Sequence, residues 1–422
     1  MSIKFKLTIL SFLQFFVWGA WLISLGGYMF TFDGDKCARG SLVGATYGTM
    51  GIASLFMPAL LGFVADRFIN AEKLLGICHL LAAAALFWAY QTVDVENLYW
   101  VILTVSIFYM PTIALSNTVS YNLLTKNNYD VQKAFPPIRV WGTIGFIVAM
   151  WLVDLTGWRS NHNQFMLSLV GCLVMAVFSF TLPPSPPSKA AKSSSIVNIL
   201  GLDAFVLFKN PKLLVFFLFA FGLGAVLQIS NAFADPFIGD FAGDYKGFFA
   251  VEHPQLLISL SQISETVFIL TIPFFLKKFG IKNVMLFAMI AWFLRFGLFG
   301  IGNPGTGLVF LVASMIVYGF AFDFFNISGS LFIENEASPS IRASAQGLFM
   351  MMTNGFGAVV GGWAAGKVVS YFTKNVEGVC NGVKDWQSIW FVFAGYALVL
   401  AVVFVFAFKY KHEPEKIKEI TH

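Results

Sequence analysis

The chain has 422 residues, of which 58% are hydrophobic and only 12% are charged, with a formal net charge of +5. Soluble domains contain about 25% charged residues, so this composition excludes an ordinary soluble protein. It indicates an integral membrane protein built as one large bundle. The long alternating segments of a membrane β-barrel do not occur in the sequence, and helices satisfy every backbone polar group within such apolar runs.

Twelve apolar segments approach the length of about 20 residues that a membrane-spanning helix needs. They are, in chain order, Phe5–Phe30, Ser41–Val64, Leu74–Tyr90, Tyr99–Leu123, Ile138–Val153, Gln164–Leu182, Leu213–Ala234, Gln255–Leu276, Asn283–Ile301, Leu308–Phe332, Ala343–Phe372 and Ile389–Tyr410. The first segment is too long for the apolar core of a signal peptide and has no obvious small-residue cleavage site, so we expect it to be retained. The predicted fold is an all-α membrane protein with twelve transmembrane helices.

Basic residues favour cytoplasmic loops and therefore predict the orientation of the chain. With both termini in the cytoplasm, 19 Lys and Arg residues lie on the inner side and 7 on the outer side, and Arg295 is left inside a helix. This asymmetry predicts cytoplasmic termini. It also explains the positive net charge as a membrane-insertion signal, so we expect no nucleic-acid partner.

The four cysteines divide into two pairs by their predicted surroundings. Cys78 and Cys172 fall in apolar helices, where we expect them to be packing residues. Cys37 and Cys380 both fall in predicted outer loops, where an oxidising compartment would allow a disulfide. The sequence leaves open whether this second pair is bonded.

One clear linker divides the chain. The stretch LPPSPPSKAAKSSS, Leu182–Ser195, is rich in Pro, Ser and Lys and predicts a semi-extended cytoplasmic tether. We therefore assign an N-terminal six-helix bundle to residues 1–182, the linker to 183–208, and a C-terminal six-helix bundle to 209–422.

The two predicted bundles repeat each other in sequence. Tyr109 and Asn117 have the same spacing as Tyr318 and Asn326, and FPPIRVWGTIGF matches SPSIRASAQGLF in its proline, its Ile-Arg pair and its final Phe. Two parallel six-helix repeats are typical of a secondary transporter whose halves move about a site near the middle of the membrane.

A charged segment follows the second predicted helix. GFVADRFINAEK, Gly62–Lys73, resembles the Gly-x-x-x-Asp-Arg loop motif of the major facilitator superfamily, although Ile69 stands where that family usually has a glycine. PFFLKKFGIKNV, Pro273–Val284, occupies the matching place in the second bundle. We expect both to be inner loops that act as charge latches. The alternative is that they only obey the positive-inside rule.

Longer strings show a closer resemblance. SFLQFFVWGAWLISLGGYMF, FPPIRVWGTIGF, GLDAFVLFKN, SQISETVFILTIPFF, MIVYGFAFDFFNISGS and IRASAQGLFMMMTNGFG resemble the nucleoside:proton symporters of the major facilitator superfamily. The resemblance extends from the first helix through the last. It implies proton-driven uptake of nucleosides across the bacterial inner membrane by alternating access, with the proton gradient as the energy source and no cofactor or metal.

Other function classes remain alternatives to this interpretation. A proton-coupled sugar or drug transporter of the same superfamily is the main alternative, and a non-transporting receptor is a further one. The sequence contains neither a His-Glu-x-x-His nor a Gly-x-Ser-x-Gly motif, so we expect no enzyme activity. We also expect the protein to function as a monomer in the bilayer.

Polar side chains inside membrane spans are costly and are therefore candidate functional residues. Gln228 and Asn231 are three residues apart and share one face of the seventh helix, and Gln262 and Glu265 do so on the eighth. An amide both donates and accepts hydrogen bonds, which suits a neutral ligand with hydroxyls and base edges. The family resemblance assigns all four to nucleoside contacts. Hydrogen bonding between helices is the alternative.

Two further helices supply candidates. Arg139, Thr143 and Phe146 lie on roughly one face of the fifth helix, which we expect to start at the preceding proline pair. Arg139 could bind substrate oxygens or a carboxylate, or it could anchor the inner helix end at the headgroups. On the tenth helix, Tyr318 and Phe322 could stack on a nucleobase, which contributes about 1–3 kcal/mol per base.

The proton-coupling residue is predicted to be a carboxylate. A dry environment favours the neutral form of a carboxylate and a nearby arginine favours the charged form, so such a group can switch. The candidates are Asp323 and Glu265. We predict Asp323 as the coupling residue because it lies deepest in an apolar span, and Glu265, beside Gln262, as mainly a ligand contact.

Three other residues inside the predicted spans receive no role in binding or coupling. We expect His79 to be a packed or hydrogen-bonded histidine and Phe325 to be a packing residue. Arg295 receives no assignment from the sequence.

Overall fold

A computed structural model of the protein describes residues 2–187, 202–338, 341–376 and 379–410. Contacts between residues divide the chain into two compact units. Unit 1 comprises Met1–Gly34 and Ala45–Leu200, and unit 2 comprises Asp35–Gly44 and Gly201–His422. Most of the predicted linker falls within residues 188–201, outside the described residues.

Helices α1 to α7 precede the linker. They are α1 (Ile3–Gly19), α2 (Leu25–Phe30), α3 (Arg39–Arg67), α4 (Ala71–Gln91), α5 (Val95–Lys126), α6 (Val131–Leu155) and α7 (Asn163–Phe180), with a 3₁₀ turn at Trp158–Ser160. α1 packs against α6 and α7, and α4 packs against α5 and α7. Gly19 lets α1 approach α6 closely, because a Cβ there would lie 2.8 Å from the Cα of Phe146.

Helices α8 to α16 follow the linker. They are α8 (Pro211–Gly239), α9 (Phe249–Glu252), α10 (Pro254–Ile269), α11 (Ile272–Ile301), α12 (Leu308–Ala321), α13 (Asp323–Glu336), α14 (Arg342–Met350), α15 (Ala358–Tyr371) and α16 (Trp386–Ala407). A π-helical segment, Met351–Gly357, connects α14 to α15. Strands β1 (Thr373–Val376) and β2 (Val379–Lys384) form an antiparallel hairpin before α16. 3₁₀ turns occur at Leu202–Lys209 and Asp240–Ala242.

Ten helical segments of the described residues are long and apolar enough to cross a membrane; among them, Leu308–Glu336 combines α12 with α13, and Ser344–Tyr371 combines most of α14 with α15. The two other predicted spans form shorter helices. The first is divided into α1 and α2 by a turn at residues 20–24, and the eighth ends at Ile269, seven residues before its predicted end. The total of twelve transmembrane helices therefore stays a prediction.

Both predicted latch loops are largely helical, which corrects the sequence interpretation. Gly62–Arg67 forms the end of α3, and residues 68–70 separate it from α4. In the second segment, Pro273–Phe279 is helical, and the helix is interrupted at Gly280, where φ is 77° and ψ is 167°. Lys and Arg are good helix formers, so a basic segment need not be a loop. Gly280 adopts this positive φ readily because it has no side chain.

The start of α6 also differs from the prediction. Pro136 and Pro137 lie inside the helix, which already begins at Val131. Asp130 caps this end, because its side chain accepts a hydrogen bond from the backbone N–H of Gln132 at 3.0 Å. An aspartate at this position satisfies one of the N–H groups that a helix start leaves without a partner. Capping by Asp130, rather than the proline pair, marks the helix start.

Cys37 and Cys380 form a disulfide, which answers the question that the sequence left open. Their Cα atoms are 5.8 Å apart, and both residues belong to unit 2. The hairpin is also tied to the end of α8, because Lys384 Nζ lies 2.8 Å from Asp240 Oδ2. A disulfide fits the oxidising compartment that the predicted outer loops would face.

Candidate functional site

In unit 2, the predicted amide residues lie on two packed helices, α8 and α10. Gln228 on α8 is buried, and Asn231 is half-buried. Gln262 on α10 is also half-buried. The side-chain oxygens of Gln228 and Gln262 are both buried and accept no hydrogen bond. Since buried acceptors are nearly always paired, these two oxygens have capacity for a further hydrogen bond.

Glu265 lies one turn beyond Gln262 on α10 and is half-buried. The neighbouring Ser264 fixes this part of α10 against α12, because its hydroxyl donates to the carbonyl of Ile316 at 2.5 Å. Gly319 on α12 permits the close approach, since a Cβ there would lie 2.5 Å from a ring carbon of Phe268. The serine and glycine therefore place Glu265 beside α12.

Tyr318 on α12 is buried and has two well-defined ring contacts. Its ring is edge-on to Trp292 at a centroid distance of 5.6 Å and an interplanar angle of 89°. The guanidinium carbon of Arg295 lies 4.4 Å from the Tyr318 ring centroid. A cation above an aromatic face is attracted by the ring quadrupole. Arg295, which received no role from the sequence, is thus a direct neighbour of a predicted site residue.

The predicted tenth helix is interrupted within the candidate site. α12 ends at Ala321, Phe322 follows with φ −90° and ψ −60°, and α13 begins at Asp323. α12 and α13 together form one candidate membrane span, Leu308–Glu336, which agrees with the predicted span Leu308–Phe332. The interruption at Phe322 was not predicted, and it places Asp323 in the first turn of α13 instead of mid-helix. Phe322 and Asp323 are both half-buried. Because helix N-termini stabilise nearby negative charge, this position favours the charged form of Asp323.

Phe325, one turn further along α13, is a packing residue, as predicted from the sequence. It is only 3% exposed. Its ring stacks on that of Phe216 with centroids 6.2 Å apart and an interplanar angle of 14°. The aromatic residues of this segment thus have different surroundings, and Phe322 is the more exposed of the two.

In unit 1, the three predicted residues follow one another along α6. The guanidinium carbon of Arg139 lies 3.9 Å from the ring centroid of Phe15, which indicates a cation–π contact with α1. Thr143 is half-buried. Phe146 is buried and edge-on to Trp18, with ring centroids 6.3 Å apart. The contact with Phe15 lies within unit 1. Because α6 begins at Val131, Arg139 lies well inside the helix and not at its start, which corrects the prediction.

A buried polar network in unit 1 was not predicted from the sequence. Gln14 on α1 donates to Thr112 Oγ1 at 2.8 Å, and its side-chain oxygen pairs with His79 Nε2 at 3.1 Å. The hydroxyl of Tyr109 donates to the backbone carbonyl of Gln14 at 2.5 Å. His79 is therefore a buried, hydrogen-bonded residue, as predicted. Gln14 is a polar residue in an apolar span, so the rule that selected Gln228 could have found it.

Residues 1–413 match the sequence profile of the family described as Nucleoside H+ symporter. The chain is 52% identical to xanthosine permease of Escherichia coli (strain K12), over 100% of both chains. The crystal structure of the nucleoside transporter NupG is similar with a TM-score of 0.88 and 51% identity, over 97% of this chain and 100% of that one. A peptide transporter of the POT family has the same fold at 16% identity, with a TM-score of 0.72 over 95% of this chain and 93% of that one.

The fold and these similarities define the class of the protein. It is an all-α membrane transporter with the major facilitator fold, and it is not an enzyme. Within that class, the chain belongs to the nucleoside:proton symporter family.

Proposed function

We propose that this protein imports nucleosides together with protons across the bacterial inner membrane by alternating access. The observation that best supports a nucleoside ligand is the pair of buried side-chain oxygens on Gln228 and Gln262, which accept no hydrogen bond within the protein. A nucleoside offers ribose hydroxyls and base N–H groups as donors. The buried ring of Tyr318 adds an aromatic neighbour of the kind that bases stack on.

The residues proposed to contact the nucleoside share polar or aromatic chemistry and partial or full burial. They are Gln228, Asn231, Gln262, Glu265, Tyr318 and Phe322 in unit 2, and Arg139, Thr143 and Phe146 in unit 1. The amides and Glu265 would bind hydroxyls and base edges, and the aromatic rings would stack. Sugars share the hydroxyls but lack the base, so the aromatic residues favour a nucleoside over a sugar.

Asp323 is the proposed proton-coupling residue, and Glu265 is the second candidate. Asp323 combines a half-buried position with the first turn of α13. An ionisable group in this setting can exist in both charge states, which coupling requires. Glu265 is proposed mainly as a ligand contact because it lies one turn from Gln262.

We propose that the protein lies in the bacterial inner membrane with both termini in the cytoplasm. We also propose that it functions as a monomer driven by the proton gradient, without a cofactor. The support for this topology is the excess of Lys and Arg in the predicted inner segments.

Uptake of radiolabelled uridine, adenosine and xanthosine into membrane vesicles tests the proposed function. A pH gradient and a sodium gradient should be imposed separately, with vesicles lacking the protein as the control. We expect accumulation with the pH gradient alone, and competition by unlabelled nucleosides but not by sugars. Accumulation with sodium alone would contradict proton coupling, and competition by sugars would favour the alternative substrate class.

A further inference from the structure

Arg295 on α11 is a buried charge inside an apolar helix, with 2% exposure. Its Nε and Nη2 atoms donate to Ser230 Oγ at 3.2 and 2.9 Å. Its Nη1 atom lies 3.1 Å from Ser261 Oγ and donates to the carbonyl of Ser314 at the same distance. One guanidinium therefore links α11 to three other helices, α8, α10 and α12.

Each of these three helices also contains a residue proposed to bind the nucleoside. On α8, Asn231 directly follows Ser230, which Arg295 contacts. On α10, Gln262 directly follows Ser261, which Arg295 also contacts. On α12, Tyr318 lies one turn beyond Ser314, whose carbonyl accepts from Arg295, and the Tyr318 ring is also beside the guanidinium. On each of the three helices, Arg295 thus contacts a serine that lies within one turn of a proposed binding residue.

A permanent charge at this depth is expensive, and its hydrogen-bond partners named above are all uncharged groups. Neutral amides would link helices at lower cost, so helix packing alone is a weak reason for an arginine. Glu265 lies within electrostatic range of both Arg295 and Tyr318. The guanidinium therefore supplies two things that a neutral residue lacks, a cation over the Tyr318 ring and a positive charge for Glu265.

We propose that Arg295 is a positioning residue for nucleoside binding: its hydrogen bonds to α8, α10 and α12 hold the guanidinium in place, and the guanidinium fixes the ring of Tyr318. The inference rests on the proposed function. It predicts that Arg295 acts on the nucleoside through Tyr318. Loss of Arg295 should therefore weaken binding without direct loss of a ligand contact.

A double-mutant cycle on the full-length purified protein tests this proposal, with uridine as the probe. Arg295→Met and Tyr318→Leu should each raise the Kd for uridine about 10-fold or more. The Kd of the double variant should lie within about 3-fold of the Kd of whichever single variant binds uridine more weakly. If Arg295 only stabilised the fold, the loss of binding free energy from Arg295→Met would instead add to the loss from Tyr318→Leu. Arg159→Met, the same substitution in the 3₁₀ turn of unit 1, is the matched control and should leave the Kd within about 2-fold.

Arg295→Lys keeps the charge but cannot form the same three-way contact, because an ammonium lacks the planar fork. It should lower the melting temperature less than Arg295→Met does, because part of the contact is kept, and it should raise the Kd about 3–10-fold. If Arg295→Met does not fold, Arg295→Lys still allows the Kd for uridine to be measured. A wild-type Kd in Arg295→Lys, or additive losses in the cycle, would overturn the proposal. A wild-type Kd in Tyr318→Leu would instead contradict the proposed binding role of Tyr318 and, with it, the route by which Arg295 acts.

Discussion

Phe322 and Asp323 lie on the two sides of a helix boundary, since Phe322 follows the last residue of α12 and Asp323 is the first residue of α13. The first N–H groups of a helix have no partner within the helix, so this boundary gives Asp323 a polar backbone environment inside an apolar segment. The aromatic ring and the carboxylate are thereby placed at one interruption. A proposed base contact and the proposed proton site are adjacent in the chain.

Replacement of Asp323 by Asn should separate coupling from substrate binding. Asn keeps the size and the hydrogen-bonding oxygen but cannot ionise, so we expect proton-driven accumulation of uridine to fall to near background. Exchange of internal for external uridine should persist because it needs no net proton movement. Uptake under an imposed pH gradient and counterflow in the same vesicles measure the two activities.

Asp244→Asn is the matched control, because Asp244 is an exposed residue of the segment that connects α8 to α9. It should accumulate uridine as the wild type does. Normal accumulation in Asp323→Asn would contradict the assignment, and Glu265→Gln would then be examined for the same separation of accumulation from exchange.

Gln262→Met should have opposite effects on the empty and the nucleoside-bound protein. A buried acceptor without a hydrogen bond costs about 1–3 kcal/mol, so an apolar side chain of similar length should raise the melting temperature of the empty protein. The same change removes an acceptor for the nucleoside, at about 0.5–1.5 kcal/mol, and should raise the Kd about 2–10-fold. Thermal unfolding with and without uridine measures both effects, and a lower melting temperature without ligand would count against this interpretation.

The sequence predicted most spans because an apolar run between polar segments is a local signal. Gln228 and Gln262 were predicted as site residues from the same kind of signal, a polar residue in an apolar run. The break at Phe322 could not be found this way, since no glycine or proline marks it. The contacts of Arg295 involve three distant segments of the chain, so no local pattern contains them. Gly280, in contrast, is a recognisable helix breaker, and it lies between Leu276 and Asn283, where the sequence predicted an interruption.

Gly361→Ala should destabilise unit 2 by packing alone. A Cβ on Gly361 would lie 2.6 Å from the Cβ of Ala225 on α8, so α15 and α8 would have to separate. Overpacking of this kind costs about 1–3 kcal/mol. Because α8 also contains Gln228, we expect weaker uridine binding together with a lower melting temperature.

Gly395→Ala on α16 is the control for this change, since no heavy atom lies within 4 Å of the added Cβ. Alanine in an open helical position is favoured over glycine by about 0.5–1 kcal/mol, so its melting temperature should stay equal or rise. Equal melting temperatures for the Gly361 variant and the wild type would show that the two helices can separate without cost.

The disulfide between Cys37 and Cys380 predicts a defined number of reactive thiols. In denaturant without reductant, a maleimide should modify only the two free cysteines, Cys78 and Cys172. After reduction it should modify all four cysteines of the chain. Mass spectrometry of the labelled intact protein counts the additions.

Cys37→Ser leaves Cys380 without its partner and provides the control, with three additions whether or not reductant is present. The same residues also report the proposed orientation. In intact cells whose outer membrane has been permeabilised, a reductant followed by a maleimide that does not cross the inner membrane should label Cys37 and Cys380, because both lie in segments predicted to face outward. Labelling only after the inner membrane is opened would mean that these segments face the cytoplasm and that the predicted topology is inverted.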